Sequence, residues 1–389
     1  MEKKFYWLYV TAFFNIVGIG MIFPMLPLFA KRFDTTLFIV GLLTAALALT
    51  QFLISPFLGK LSDRYGRKPL LLFCVAANTL SFAVTGAAPN LAIVFIGMIL
   101  QGLGSAGVLP VALAYVADVT NGHNRSVFIS RVTGTFAIGF MIGPVVGGLL
   151  SAISFETPFF VAFLIGILNV LVIKFFLSET LLTRDKTVEL KEGFVSLKSL
   201  FKGITGEFGV FFFLAFVWAV YITNFSLTIP FFTQDRFGFT ALHNGLFFSV
   251  AGFTAAVTQW VFLPFIEKRI GDLKTIILGM LILTVGLLLS PLFSVPLIFV
   301  TISTINVIGS ALLRPSINAY MSKKTQAGQG TTMGMIFSFE SLGRVIGPIV
   351  LGGLMLKYGT GSPFLISALT VLVGLLLFLA WSHKETSTK

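Results

Sequence analysis

The sequence predicts an all-α membrane protein with twelve transmembrane helices in two parallel-repeat six-helix bundles. Three observations lead to this fold class: an apolar composition, twelve apolar segments long enough to cross a bilayer, and an internal repeat. Apolar residues make up 56% of the 389 residues and charged residues only 11%, whereas water-soluble domains carry about 25% charged residues. A chain this poor in charge could not cover a water-facing surface, so the lipid bilayer is the solvent that fits.

Apolar segments of roughly the 20 residues that a transmembrane helix needs follow one another along the chain. They are 5–30, 37–58, 69–88, 91–117, 128–152, 157–177, 208–233, 242–266, 273–292, 295–321, 331–356 and 361–381. We interpret the first as a retained span, because no small-residue cleavage site of a signal peptide follows it. Residues 178–207 mix both signs of charge, which predicts a polar connector. The predicted domains are an N-terminal bundle at 1–177, a cytoplasmic connector at 178–207 and a C-terminal bundle at 208–389.

The distribution of basic residues predicts the orientation. Of the 27 lysines and arginines, 21 fall in segments on the same side as the N-terminus and four on the other side. Because cytoplasmic loops carry an excess of basic residues, we expect a multi-pass protein of the plasma (inner) membrane with both termini in the cytoplasm. The other two, Arg314 and Arg344, fall inside predicted spans.

The sequence repeats itself at an offset of 204 or 205 residues. GSAGVLPVALAY (104–115) and GSALLRPSINAY (309–320) share six residues at identical offsets, and GFMIGPVVGG (139–148) matches GRVIGPIVLGG (343–353). The polar turn at Asp63 has a weaker counterpart at Glu267. Similar offsets in separate loops and helices predict two halves with the same orientation, as in transporters built from parallel repeats.

Charge, cysteine and histidine usage exclude several function classes. The formal charge of +12 comes from basic residues between apolar runs, not from a patch or tail that would bind nucleic acid. Cys74, the single cysteine, cannot form an internal disulfide. The three histidines (His123, His243 and His383) fall in loops or at their edges, without metal-ligand spacing, and no phosphate-binding GxxxxGK[ST] motif is present. We therefore predict no enzyme, no metal and no cofactor.

The segment GKLSDRYGRK (59–68) between the second and third spans is the most specific motif. It resembles the signature loop of the major facilitator superfamily, Gly-x-x-x-Asp-Arg-x-Gly-Arg-Lys, at every key position. The resemblance implies a cytoplasmic latch, in which Asp63 meets the N-terminal end of helix eleven and Arg67 pairs with Asp118. The residues implied in this latch are Gly59, Asp63, Arg64, Gly66, Arg67, Lys68 and Asp118. From the residues alone, the two glycines of the loop predict a tight turn.

Two further motifs resemble the twelve-span drug:proton antiporter branch, which includes tetracycline and multidrug efflux proteins. VGIGMIFPMLP (17–27) is similar to its first-span signature, and Pro24 and Pro27 are expected to bend that helix. GFMIGPVVGG resembles its antiporter motif, which implies export rather than uptake. One departure is Met98, which stands where this branch usually carries an arginine linked to proton transfer. The resemblance therefore leaves the coupling ion open.

Glycines of the antiporter motif lie four residues apart, so they share one helix face that another helix can approach closely. The predicted helix-packing residues, including those of the repeat, are Gly139, Gly143, Pro144, Gly147, Gly148, Gly343, Gly347 and Pro348.

Glu340 is the only acid that falls well away from a membrane interface. It lies about nine residues into its predicted span, or about 14 Å at 1.5 Å per residue. Arg314 lies at similar depth, and Arg344 is one turn beyond Glu340. An isolated charge at the bilayer centre costs at least ~2.5 kcal/mol, so we expect the three to form a cluster. Two interpretations stay open: a structural ion pair between helices ten and eleven, or a group that handles protons or substrate.

In the resembling family, spans 1, 4, 7 and 10 line a central path. The resemblance implies a substrate cavity from the polar and aromatic residues of these spans, namely Asn15, Gln101, Tyr115, Trp218, Tyr221, Asn224, Arg314, Asn318 and Tyr320. Each of these residues could instead form an interhelical hydrogen bond or be an interfacial aromatic.

The sequence thus predicts a secondary active transporter that exports amphiphilic small molecules, coupled to protons, by alternating access. One alternative is transport of an organic anion or lipid-like substrate that uses Arg314 and Arg344. Another is a non-transporting membrane receptor on the same scaffold. The expected partners are a small-molecule substrate, protons and the lipid bilayer, without nucleic acid, and the expected state is a monomer.

Overall fold

The computed structural model describes residues 2–23, 25–120, 123–180, 204–206, 208–324 and 329–387. Every regular element in these ranges is helical, which confirms the predicted fold class. The long helices are α1 Glu2–Ile22, α2 Leu37–Tyr65, α3 Arg67–Gly86, α4 Leu91–Val119, α5 His123–Ser151, α6 Thr157–Phe176, α7 Gly209–Phe237, α8 Ala241–Val257, α9 Leu263–Leu289, α10 Pro296–Lys324, α11 Gln329–Tyr358 and α12 Ser362–Ser387.

Within the described ranges, eleven helical segments are long and apolar enough to cross a membrane. The longest, Ala241–Leu292, has 52 residues and contains the eighth and ninth predicted spans. It joins α8 to α9 through a π-helical turn at Thr258–Phe262, and α9 is interrupted at Gly271, where φ is 77° and ψ is 167°. Since a single crossing needs only about 20 residues, this segment has the length for two.

The structure corrects the predicted turn between the second and third spans. α2 continues to Tyr65, so Gly59 lies inside a helix and takes no part in the turn. Gly66 alone provides it, with a φ of 114° that favours glycine. Near the first span, α1 ends at Ile22 and a short helix follows at Leu26–Ala30, so the chain breaks close to Pro27. Pro24 and most of the predicted connector (181–203 and 207) lie outside the described residues.

The chain forms two compact units. The first comprises Met1–Thr35, Ala46–Phe194 and Thr240–Ser249, and the second comprises Thr36–Ala45, Val195–Phe239 and Val250–Lys389. Each unit therefore includes the beginning of one helix from the other half of the sequence, α8 in the first unit and α2 in the second. The predicted domain boundaries stay a prediction.

Each unit has its own apolar core. Phe5 and Tyr115 are at most 1% exposed in the first unit, as are Phe211 and Phe378 in the second. Other large apolar side chains are more than half exposed, such as Leu297 at 75%. An outer surface this apolar is expected of helices that face lipid.

Glycines bring helices of the first unit into backbone contact. A Cβ added at Gly143 on α5 would lie 2.9 Å from the Cα of Gly20 on α1, and one at Gly148 would lie 3.0 Å from the Cα of Leu242 on α8. One at Gly245 on α8 would collide with the carbonyl oxygen of Pro144. Close approach of this kind is how small residues hold membrane helices together.

The second unit repeats these contacts at the equivalent positions. A Cβ at Gly352 on α11 would lie 3.2 Å from the Cα of Phe38 on α2, and one at Gly41 on α2 would collide with the carbonyl oxygen of Pro348. A Cβ at Gly343 would lie 2.7 Å from the carbonyl oxygen of Phe216 on α7. The sequence repeat thus corresponds to repeated helix crossings.

Substitution of Gly245 by alanine is expected to lower the stability of the protein by about 1–3 kcal/mol, because the new Cβ meets a backbone oxygen that cannot rotate away. Gly334→Ala on α11 is the matched control, since no atom of the described part of the chain lies within 4 Å of its Cβ position and alanine favours helix by up to about 1 kcal/mol. Thermal unfolding of both purified variants checks this. Equal stability of the two variants would show that the crossing tolerates a methyl group.

Candidate charge cluster, cavity residues and latch

Glu340 on α11 lies at the centre of a charge cluster within the second unit. Its Oε1 accepts a hydrogen bond from Nε of Arg314 at 2.6 Å, and its Oε2 accepts one from Nη2 of Arg314 at 3.0 Å. Nη2 of Arg344 lies 3.4 Å from the same Oε2. The Glu340 side chain is 1% exposed, whereas those of Arg314 and Arg344 are 34% and 35% exposed. Two arginines therefore share one carboxylate, and the cluster keeps a formal charge of +1.

Aromatic rings complete the surroundings of Arg314. Its guanidinium carbon lies 4.7 Å from the ring centroid of Trp218 and 5.8 Å from that of Phe337. Nε1 of Trp218 donates to Oγ of Ser310, one turn before Arg314, at 2.9 Å. Cation–π contacts with a partly desolvated arginine contribute about 1–2 kcal/mol. The ring of Trp218 thus lies beside the ion pair and fixes α7 against α10.

Tyr320 and Asn224, two other predicted cavity residues of the second unit, contact groups on neighbouring helices. Tyr320 stacks on Phe211 with ring centroids 4.8 Å apart. Nδ2 of Asn224 donates to the carbonyl oxygen of Pro363 at 3.0 Å and to Oγ of Ser367 at 2.6 Å, which ties α7 to α12. Tyr221 and Asn224 line a small internal cavity. Asn318, on α10, is partly exposed.

Of the predicted cavity residues of the first unit, Asn15 forms a hydrogen bond between two helices, and Gln101 and Tyr115 are buried. Oδ1 of Asn15 on α1 accepts a hydrogen bond from Nδ2 of Asn78 on α3 at 3.1 Å. Gln101 is 5% exposed, and Met98, one turn earlier on α4, is 1% exposed. The hydroxyl of Tyr115 lies 3.3 Å from Oγ of Ser178 at the start of the predicted connector.

Arg67 is the centre of the latch residues. Its Nε and Nη2 donate to the carboxylate of Asp118 at 2.8 and 3.3 Å. Its Nη1 donates to Oδ1 of Asp63 at 2.5 Å and to Oγ of Ser62 at 2.6 Å. The guanidinium thus joins the end of α2 to the end of α4. The contact implied between Asp63 and helix eleven stays a prediction.

The other predicted latch residues include Arg64, Lys68 and Gly59. The guanidinium of Arg64 lies 5.7 Å from the ring of Tyr65. Nζ of Lys68 donates to the carbonyl oxygen of Lys174 on α6 at 2.9 Å. Gly59, inside α2, has no described residue within 4 Å of its Cβ position.

Sequence reasoning missed Glu179, which belongs to the same cluster. Its Oε1 accepts from the backbone N–H of Arg67 at 2.9 Å, and its Oε2 accepts from that of Lys68 at 3.2 Å. The carboxylate therefore caps the N-terminus of α3, where unpaired N–H groups and the helix dipole favour negative charge. Gly66 leaves the necessary space, because a Cβ there would collide with Glu179.

Thr180, the next residue, donates a hydrogen bond from its Oγ1 to Oδ2 of Asp118 at 3.2 Å. The first residues after α6 thus hold both partners of the Arg67–Asp118 pair. The only sequence signal for this was an acid at the beginning of the predicted connector.

Glu179→Ala is expected to cost about 1 kcal/mol of stability, because a capped helix end loses its acceptor. Glu179→Gln should lose less, since its amide oxygen can still accept a backbone N–H. Chemical unfolding of the two variants measures the difference. If alanine and wild type unfold alike, the cap has no energetic role.

The second unit carries a counterpart of the Arg67–Asp118 pair with reversed charges. Nζ of Lys323 lies 2.7 Å from Oδ2 of Asp272, and these residues are offset by 205 from Asp118 and Arg67. Nearby, Oγ of Ser316 donates to Oε1 of Glu267 at 2.7 Å. Lys323 is far more exposed than Arg67, with side-chain exposures of 65% and 8%.

The chain matches a known protein family, and it is similar to curated relatives and to a solved structure. The family model of the Major Facilitator Superfamily matches residues 8–271 and 261–389. The chain is 29% identical over 376 residues to Multidrug resistance protein 2 of Bacillus subtilis (strain 168), covering 96% of this chain and 94% of the relative. It is 31% identical over 354 residues to Tetracycline resistance protein, class C, of Escherichia coli, covering 87% and 86%. The crystal structure of nucleoside transporter NupG has the same fold, with a TM-score of 0.80 at 15% identity over 98% of this chain and 99% of that chain.

Proposed function

The chain belongs to the Major Facilitator Superfamily, a family of membrane transporters and not of enzymes, and from this premise we propose that it exports amphiphilic small molecules in exchange for protons. Relatives of similar length named for multidrug and tetracycline resistance support export of such compounds. The proposal that protons are exchanged rests on one observation. The carboxylate of Glu340 is 1% exposed and lies between two arginines.

Proton exchange at Glu340 requires a conformational change. In the structure both oxygens of the carboxylate accept hydrogen bonds from Arg314, and Arg344 lies beside one of them. Movement that separates Arg314 from Glu340 would leave these oxygens open to a proton. Alternating access supplies such a movement, in which the halves predicted at 1–177 and 208–389 rock about a site near the middle of the membrane.

Substrate binding near the cluster is part of this proposal. Trp218 offers an aromatic face, and Arg314 links that face to the charge of Glu340. A substrate that breaks the ion pair would therefore also release the carboxylate of Glu340. We propose that the protein works as a monomer in the plasma (inner) membrane, with both termini in the cytoplasm and the latch around Arg67 on the cytoplasmic side.

A second candidate function is the transport of an organic anion or lipid-like molecule. The observation that favours it is the surplus positive charge of the cluster. Arg344 makes one contact of 3.4 Å with Glu340, although a guanidinium carries five N–H donors, and its side chain is 35% exposed. A substrate carboxylate or phosphate can bind such a group in bidentate geometry.

The experiment that tests both candidates is a substrate screen with purified protein in proteoliposomes under an imposed pH gradient, with cationic dyes and organic anions side by side. We expect dye transport that depends on the gradient and is lost when the gradient is collapsed. Transport of anions alone would favour the second candidate. Binding without any transport would contradict both and indicate a receptor.

A further inference from the structure

A small cavity lies inside the second unit, where α7, α9, α10 and α12 meet. Four polar residues, Tyr221, Asn224, Ser303 and Asn306, line it together with four apolar ones. The space open to the centres of water-sized molecules is about 10 Å³, close to the minimum for one water. We propose that this cavity binds one water molecule that hydrogen-bonds to all four polar side chains.

Each of the four residues presents a buried oxygen atom that has no hydrogen-bond partner among the described residues. These atoms are the hydroxyl of Tyr221, Oδ1 of Asn224, Oγ of Ser303 and Oδ1 of Asn306. The residues are only 1–3% exposed. A buried polar atom that stays unpaired costs about 1–3 kcal/mol, and native structures rarely tolerate several around one cavity. A shared partner inside the cavity resolves all four.

The directions of the amide groups fix what that partner must be. Nδ2 of Asn224 already donates to α12, at Pro363 and Ser367, and Nδ2 of Asn306 donates to Oγ of Ser290 at 3.3 Å. Both Oδ1 atoms are therefore acceptors, whereas the hydroxyls of Tyr221 and Ser303 are able to donate. A water molecule donates two hydrogen bonds and accepts two, which matches this set.

A monovalent cation fits the same set less well. All four oxygens are formally neutral, and none of the residues that line the cavity is an acid. A cation would therefore bring a charge without a counter-charge into the interior of a membrane protein, which is costly. The hydroxyl protons would also have to turn away from it.

The water would connect the two helices that carry part of the charge cluster. Tyr221 and Asn224 lie on α7 one to two turns after Trp218, and Ser303 and Asn306 lie on α10 before Ser310 and Arg314. The direct bond from Trp218 to Ser310 crosses the same pair of helices. The proposed water thus adds a second bridge along the contact between α7 and α10, and gives Tyr221 and Asn224 a role in holding that contact.

The test combines thermal unfolding of the purified full-length protein with an experimental structure that resolves ordered water. Ser303→Ala should lower the melting temperature by roughly 2 °C or more, because it removes one of two donors. The matched control, Ser341→Ala, should cause no shift, since that exposed hydroxyl bonds to the carbonyl oxygen of Phe337 in its own helix and does not line the cavity. We expect a density peak about 2.7–3.2 Å from all four oxygens.

Three outcomes would overturn the proposal. The first is no density peak in the cavity. The second is equal melting temperatures for Ser303→Ala and Ser341→Ala. The third is a wild-type melting temperature that rises when sodium chloride replaces choline chloride and no longer does so in Ser303→Ala, which would identify a cation. None of these measurements depends on transport, so they stand apart from the test of the proposed function.

Discussion

Replacement of Glu340 by glutamine is expected to abolish transport driven by a pH gradient, while the protein still folds and inserts. Glutamine keeps the shape of the side chain and one acceptor for Arg314, but it neither carries a negative charge nor takes up a proton. The present contact is bidentate, with distances of 2.6 and 3.0 Å. Its loss leaves Arg314 and Arg344 without a counter-charge, so we also expect lower stability.

The assay compares wild type, Glu340→Gln and Glu267→Gln in proteoliposomes of equal protein content. Glu267 is a suitable control, because it is an acid of the same unit whose oxygen accepts from Ser316 at 2.7 Å and lies outside the charge cluster. Size-exclusion chromatography of each variant separates lost transport from lost folding. Unchanged coupling in a folded Glu340→Gln variant would remove Glu340 from the mechanism and leave the structural interpretation of the ion pair.

Arg67→Ala is expected to destabilise the first unit strongly. The side chain is 8% exposed and binds Asp118, Asp63 and Ser62. Loss of one partner from a buried ion pair typically costs 3–5 kcal/mol. Here Asp63 is 49% and Asp118 20% exposed, so water compensates part of the loss, and we expect about 2–3 kcal/mol.

The equivalent pair of the second unit provides the matched comparison. Lys323 is 65% exposed and binds Asp272, so Lys323→Ala should cost at most about 1 kcal/mol. Denaturant unfolding of both variants measures the two losses. Equal losses of stability would mean that burial does not make the Arg67–Asp118 pair stronger than the equivalent Lys323–Asp272 pair. The contacts of Arg67 would then contribute no more than an ordinary surface ion pair.

Features that repeat in the sequence or carry an unavoidable energetic cost were predictable. A carboxylate deep in a predicted span needs a partner, and only Arg314 and Arg344 were available at similar depth. Glycine spacing likewise predicted close helix packing. The repeat offset of 204 residues relates Gly148 to Gly352 and Gly41 to Gly245. Sequence alone could not show which helices these glycines touch.

Other features depend on contacts that leave no residue pattern. Glu179 binds backbone groups of α3 from a distant position, and backbone donors look the same in every sequence. The Asp272–Lys323 pair was hidden because reversed charges do not count as a match when two segments are compared. Gly59 was misjudged because a glycine inside a helix and a glycine in a turn are indistinguishable until the helix end is known. The cavity around Ser303 and Asn306 likewise arises from four helices that meet only in the folded unit.

The central claim is that substrate crosses the membrane in exchange for protons through the cluster at Glu340. Its most direct test is proton movement measured with a pH-sensitive dye trapped inside proteoliposomes, as a transported compound from the screen is added. We predict that protons move opposite to the substrate in wild type and that this movement is absent in Glu340→Gln. Substrate transport without any accompanying proton movement in wild type would contradict the account.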